Sequence, residues 1–157
     1  MTAVAFLDTN ILLYTLSREP AERAKKAIAI ELLDRTDAGL SVQVLQEFYV
    51  TVTQKLGKPL SRSDAREIVR DYAQWVATPT TAQTVIRASE ISEGWKLSFW
   101  DSLILAAAEE QDCSTVLTED LNSGQTVAGM QMNADHQSVF AKITTFLSDS
   151  SVPFPSR

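Results

Sequence analysis

The chain has 157 residues, 45% of them hydrophobic and 22% charged, which fits one globular domain. Five glycines and five prolines exclude collagen-like, low-complexity and mostly disordered chains, and no apolar run approaches the ~20 residues that span a bilayer. With 20 acids against 14 bases the net charge is −6, which argues against a large nonspecific nucleic-acid surface but permits nucleic-acid binding where divalent cations offset carboxylates.

Ala3 to Leu7 is a short apolar run ended by Asp8-Thr9-Asn10, the pattern of a buried parallel strand followed by a helix capped by Thr9 or Asn10. Ile11 to Leu16 opens that helix, and a second runs from about Pro20 to Arg35. Gly39 to Val42 is a brief extended segment. Gln43 to Leu56 is helical, with Leu45, Phe48, Tyr49, Val52 and Leu56 on one face, and Gly57-Lys58-Pro59 stops it. Ser61 or Ser63 caps a helix reaching about Trp75. Ala77 to Thr80 reads as a short strand and Thr81 to Trp95 as another helix. Phe99 to Glu110 is apolar around most of its circumference, so this helix is expected to be central and buried.

Ser114 to Thr118 is a strand that ends at Glu119-Asp120, and Leu121 to Gln125 is a loop. Val127–Met132 and Val139–Phe146 each read as a strand or a short helix. Strands alternating with helices predict an α/β fold, a three-layer α/β/α sandwich with a mainly parallel central sheet. Residues 1–148 form the domain, and residues 149–157, with Pro153 and Pro155, a frayed tail.

The residue inventory narrows the chemistry. One cysteine, Cys113, excludes an internal disulfide and a cysteine-based zinc site. One histidine, His136, leaves carboxylates as the reactive groups, with His136 itself expected in a surface loop. The first residues lack the basic start and long apolar stretch of a signal peptide, and the expected setting is the cytoplasm, away from membranes. Trp75, Trp95 and Trp100 are expected in the core or at an interface.

Most acids lie on polar helix faces. Three do not: Asp8 stands between Phe6-Leu7 and Ile11-Leu12-Leu13, Asp101 inside Phe99-Trp100 and Leu103-Ile104, and Asp120 just past Val116-Leu117. In open α/β sheets, sites form beyond the carboxyl ends of the strands, where Asp8 and Asp120 both fall. If their strands are neighbours the two converge, and Asp101 in the first turn of the central helix points to the same place. Three convergent carboxylates repel one another unless a divalent cation joins them, and oxygen ligation favours Mg²⁺ or Mn²⁺. The plainer alternatives are a cap or Asx-turn at Asp8, a capping box from Ser98 to Asp101, and a turn at Asp120.

At these residues the sequence resembles the PIN-domain family, and within it the VapC-type toxins of bacterial toxin–antitoxin pairs. Phe6-Leu7-Asp8-Thr9-Asn10-Ile11-Leu12-Leu13-Tyr14 resembles the family's opening strand and first acid. Ser41 to Tyr49 resembles the second motif, whose acid falls on Glu47, Ser98 to Ala108 the third, and Leu117-Thr118-Glu119-Asp120-Leu121 the fourth. Periodicity alone leaves Glu47 a solvated helix acid.

The resemblance implies a metal-dependent endoribonuclease. Asp8 and Asp101 would be the principal ligands of Mg²⁺ or Mn²⁺. Glu47 and Asp120 would hold a second ion or orient water, and Thr9, Asn10 and Thr118 would position these groups or the substrate. It also implies a cognate antitoxin and a homodimer. Arg62, Arg66 and Arg70, spaced i, i+4, i+8, share a helix face and are candidate phosphate contacts, with ion pairing to Asp64 or Glu67 as the plainer reading. A non-catalytic interaction module on this fold, and a phosphoryl-transfer protein using Asp8 as covalent acceptor, are the rival readings.

Overall fold

The computed structural model describes residues 5–34 and 38–118, with the backbone of 126–127 and 130–133. Its sheet is built from β1 (Ala5–Leu7), β2 (Ala38–Gly39), β3 (Thr115–Leu117), β4 (Thr126–Val127) and β5 (Met130–Asn133). Their order is β2-β1-β3-β5-β4, and every pairing is parallel except that of β4 with β5. The α/β sandwich with a mainly parallel sheet, expected from the alternation of elements, is the observed class. Ala5, Phe6 and Leu7 are all buried, as a central parallel strand requires.

Among the described residues, six α-helices lie between β1 and β3: α1 (Thr9–Tyr14), α2 (Arg23–Leu33), α3 (Val42–Val50), α4 (Arg62–Tyr72), α5 (Ala82–Trp95) and α6 (Phe99–Glu110). Four begin on a hydroxyl or carboxylate that accepts a backbone N–H of the first turn: Asp8 for α1, Ser41 for α3, Ser61 for α4 and Ser98 for α6. Thr81 does the same for α5, with Thr84 reaching back to complete a capping box. Helix α6 is the central one, with every residue from Ser102 to Ala108 buried. It packs along α5, and Lys96 takes a left-handed backbone, φ 55°, to end α5 before the chain turns into α6.

The core gathers Phe6 and Leu7 of β1, Ile11 and Leu12 of α1, Phe48 of α3, Leu105 of α6 and Leu117 of β3, all fully buried. Phe48 meets the Tyr72 ring edge to face at 5.3 Å, which ties α3 to α4. Among the described residues no helix is long and apolar enough to cross a membrane.

Several elements differ from expectation for identifiable reasons. The cap of α1 is Asp8, not Thr9 or Asn10. The helix expected from Pro20 to Arg35 begins as a single 3₁₀ turn, Pro20–Glu22, and its α-helical part ends at Leu33. Helix α3 starts one residue earlier than expected and loosens after Val50 into a π-type turn, Thr51–Lys55. Its exit is held by the Leu60 N–H on the Val52 carbonyl at 2.9 Å.

Ala77–Thr80 is not a strand: Pro79 has no N–H for a ladder, and the contact with this region is the Leu40 N–H on the Trp75 carbonyl at 3.0 Å. Trp75 packs against the core as expected, but Trp95 is 45% exposed and Trp100 65%, so neither is a core residue. Residues 126–127 and 130–133 resolve the strand-or-helix ambiguity there as strand. Asp120, Glu119, His136, Val139–Phe146 and the tail 149–157 lie outside the described residues.

Cys113 is 5% exposed at the entrance to β3, and burial pushes its thiol up to about 12. The folded thiol therefore holds its proton more tightly than an unfolded one, whose pKa is about 8.5. This contribution to stability is complete below about pH 8.5 and is lost as pH climbs toward about 12. Native protein at pH 8 is expected to resist a thiol-disulfide reagent, with labelling governed by opening of the fold. Rapid stoichiometric labelling without denaturant would contradict this burial.

Candidate functional site

The site begins where β1 ends. Because β1 and β3 are parallel neighbours in the register Leu7 to Leu117, the residues that follow them, Asp8 and Thr118, emerge side by side. The Asp8 N–H donates to the Leu117 carbonyl at 3.0 Å, which carries the pairing one residue past the strand. The Asp8 carboxylate is 5% exposed and Thr118 fully buried. A buried carboxylate requires donors, and two are at hand. The Thr9 N–H donates to Asp8 Oδ1 and the Thr118 hydroxyl to Oδ2, each at 2.7 Å. Asp8 is thus a helix cap, as the plainer reading had it, and also a side chain clamped between the first and fourth motifs.

Thr9 then joins a second acid. Its N–H serves Asp8, while its hydroxyl donates to Glu47 Oε2 at 3.0 Å. Glu47 stands on α3, which packs against α1. It is exposed, yet it is not merely solvated: Gln43, one turn earlier on α3, donates from Nε2 to Glu47 Oε1 at 3.1 Å. The same Nε2 donates to the Trp100 carbonyl at 3.2 Å, in the first turn of α6 and next to Asp101. One run of hydrogen bonds therefore passes from Thr118 through Asp8, Thr9, Glu47 and Gln43 to α6. It touches all four sequence motifs.

Asp101 is partly exposed, in the first turn of α6, where a negative charge suits the helix N-terminus. Ser98 Oγ accepts the Asp101 N–H at 3.1 Å, so Ser98 caps the helix. Among the described residues the Asp101 carboxylate makes no hydrogen bond or ion pair in return, and it remains available to a ligand. Asn10 follows Thr9 in the first turn of α1, partly exposed. Arg62, Arg66 and Arg70 are exposed along α4, and among the described residues none is ion-paired to Asp64 or Glu67.

A family model described as PIN domain matches residues 5–126. The chain belongs to the PIN-domain family. Solved PIN-fold structures agree. A toxin–antitoxin complex from Klebsiella pneumoniae contains a chain of TM-score 0.59 and 20% identity, covering 80% of this chain and 94% of that one. The DNA-bound VapBC from Salmonella typhimurium matches at TM-score 0.59 and 16% identity, over 84% of this chain and 98% of that one. VapBC2 from Rickettsia felis, bound to a DNA fragment from its promoter, matches at 0.56 and 15%, over 83% and 98%. At such identities these are likenesses of fold. No curated protein matches the sequence.

Carboxylate and hydroxyl oxygens are the ligand class of a hard divalent cation. Among the described residues, no three Asp, Glu, His or Cys side chains lie close enough to hold a metal ion. The acids are brought together through Thr9 and Gln43 rather than as a closed cage, and Asp120 falls outside the described residues. Glu47 was found in the sequence only by family resemblance. Gln43 was missed, although its i, i+4 spacing to Glu47 is a readable signal.

Thr118→Val in this PIN domain preserves shape but removes a donor from a buried carboxylate. It is expected to lower the unfolding free energy by about 1.5–3 kcal/mol, the range for hydrogen bonds to charged groups. Thr9→Val removes a bond to the exposed Glu47, which water can replace, and is expected to cost at most about 1 kcal/mol. Urea denaturation orders the two; a larger effect at Thr9 would contradict the assignment of Asp8 as the buried member.

Proposed function

We propose that this PIN domain is a divalent-metal-dependent endoribonuclease and the toxin of a toxin–antitoxin pair. The observation that carries the reading is the hydrogen-bonded run joining Asp8, Glu47 and the turn that bears Asp101. Groups distant in sequence are held together there, all of them oxygen donors. The toxin role draws support from the fold likeness to the Klebsiella, Salmonella and Rickettsia complexes. A cognate antitoxin and a homodimer belong to the same proposal.

Asp8 and Asp101 are the proposed principal ligands of Mg²⁺ or Mn²⁺, with Glu47 and Asp120 as a second acidic pair. When bound, the ion supplies a lowered water pKa and relief of charge on the phosphoryl oxygens. Thr9 and Thr118 hold Asp8 and Glu47 in place, and Asn10 stands beside them at the start of α1. Arg62, Arg66 and Arg70 offer exposed guanidinium groups free of ion pairs among the described residues, suited to substrate phosphates. Trapping an aspartyl-phosphate on Asp8 would instead favour the covalent-acceptor rival.

RNA incubated with purified protein is expected to be cut with Mg²⁺ or Mn²⁺ and not with EDTA. Asp8→Asn and Asp101→Asn should each lower the rate more than about 100-fold, beyond the usual cost of losing an outer-shell partner. Cleavage that persists in both variants would end the reading, and no cleavage with either metal would favour the non-catalytic module. Separately, Arg66→Ala is expected to reduce the slope of log affinity for single-stranded RNA against log salt by about 0.7, the release of one condensed counterion. An unchanged slope would remove α4 from the substrate path.

A further inference from the structure

Gln43 is buried, with 7% exposure, yet its side-chain oxygen Oε1 has no hydrogen-bond partner among the described residues. Its nitrogen, by contrast, is used twice, on Glu47 Oε1 at 3.1 Å and on the Trp100 carbonyl at 3.2 Å. The orientation is forced. Rotating the amide by half a turn would aim Oε1 at two oxygens, neither of which can donate. Folded proteins rarely leave a buried carbonyl unpaired, and such exceptions call for an explanation.

Stability does not provide one. Glu47 is exposed and can be hydrated, and the Trp100 carbonyl lies in the first turn of α6, where the helix supplies its own donor. An apolar residue of the same length would fill the space without the orphan oxygen. What only the amide provides is a fixed link between two elements, α3 with Glu47 and α6 with Asp101.

We infer that Gln43 is a positioning residue of the nuclease site: its amide fixes Glu47 against the first turn of α6 and so sets the spacing of Glu47 and Asp101. The inference rests on the nuclease reading above. Gln43 does not touch substrate or a metal ion; it acts through the acids.

The test uses the full chain with Gln43→Met, Glu47→Ala and the double variant. Three quantities are read: melting temperature, Mn²⁺ affinity by calorimetry without RNA, and kcat and KM on an RNA oligonucleotide. Gln43→Met is expected to melt within about 4 °C of wild type. Its Mn²⁺ affinity and kcat should fall about 10- to 100-fold, the usual effect of removing a group that orients ligands, with KM unchanged. Added to Glu47→Ala, it should cause no further loss, because both act on one link.

Wild-type Mn²⁺ affinity and kcat in Gln43→Met would overturn the inference, as would a full additional loss in the double variant. The wild-type protein gives a measurement that needs no variant at position 43. The Gln43 side-chain amide protons should exchange slowly with solvent and shift in Glu47→Ala; rapid exchange would overturn the link even if Gln43→Met did not fold. Failure of wild type to bind Mn²⁺ and to cut RNA would overturn the nuclease reading together with this one, whereas an active Gln43→Met overturns this one alone.

Discussion

The structure turns on one buried carboxylate, that of Asp8, the buried acid among the described residues. Asp8 sits just past the end of β1 with 5% exposure, and nothing in an apolar interior would tolerate its carboxylate without donors. The fold supplies them through strand order. Parallel β1 and β3, paired Leu7 to Leu117, deliver Thr118 to one oxygen, and the start of α1 delivers the Thr9 N–H to the other. A slip of one residue between these strands would send side chains to opposite faces of the sheet and strand the charge. The same pairing that completes the core therefore decides where the site lies.

This explains which features were legible in the sequence. Strand β1 and helix α6 are apolar around nearly their whole surface, and such runs have few places to go except the centre. Asp8 stood out for the same reason, as an acid enclosed by that apolar sequence. Glu47 did not. Its neighbours on α3 show a normal amphipathic face, and its partners, Thr9 and Gln43, become partners only through the packing of α1 on α3 and the helical turn of α3 itself.

The errors have a common source too. Residues 77–80 carry strand-like composition, but the adjoining hydrogen bond is made at Trp75, and Pro79 cannot donate. Local pattern reads the burial of whole segments such as β1 and α6, but not of single residues such as Trp95 and Trp100, which are exposed. It reads polar partnerships poorly because each partnership belongs to two segments.

The kind of donor chosen has its own consequence. The bonds described at Asp8 and Glu47 come from a backbone N–H, two threonine hydroxyls and an amide, all neutral. An arginine or lysine in those places would hold the acids as firmly, but it would cancel their charge and occupy the space a cation needs. Neutral donors orient the oxygens without adding a positive charge of their own. Arg62, Arg66 and Arg70, which carry no ion pair among the described residues, stand instead on α4. Under the nuclease reading proposed above, compensating charges would come from outside, cations at the acids and phosphates at the arginines.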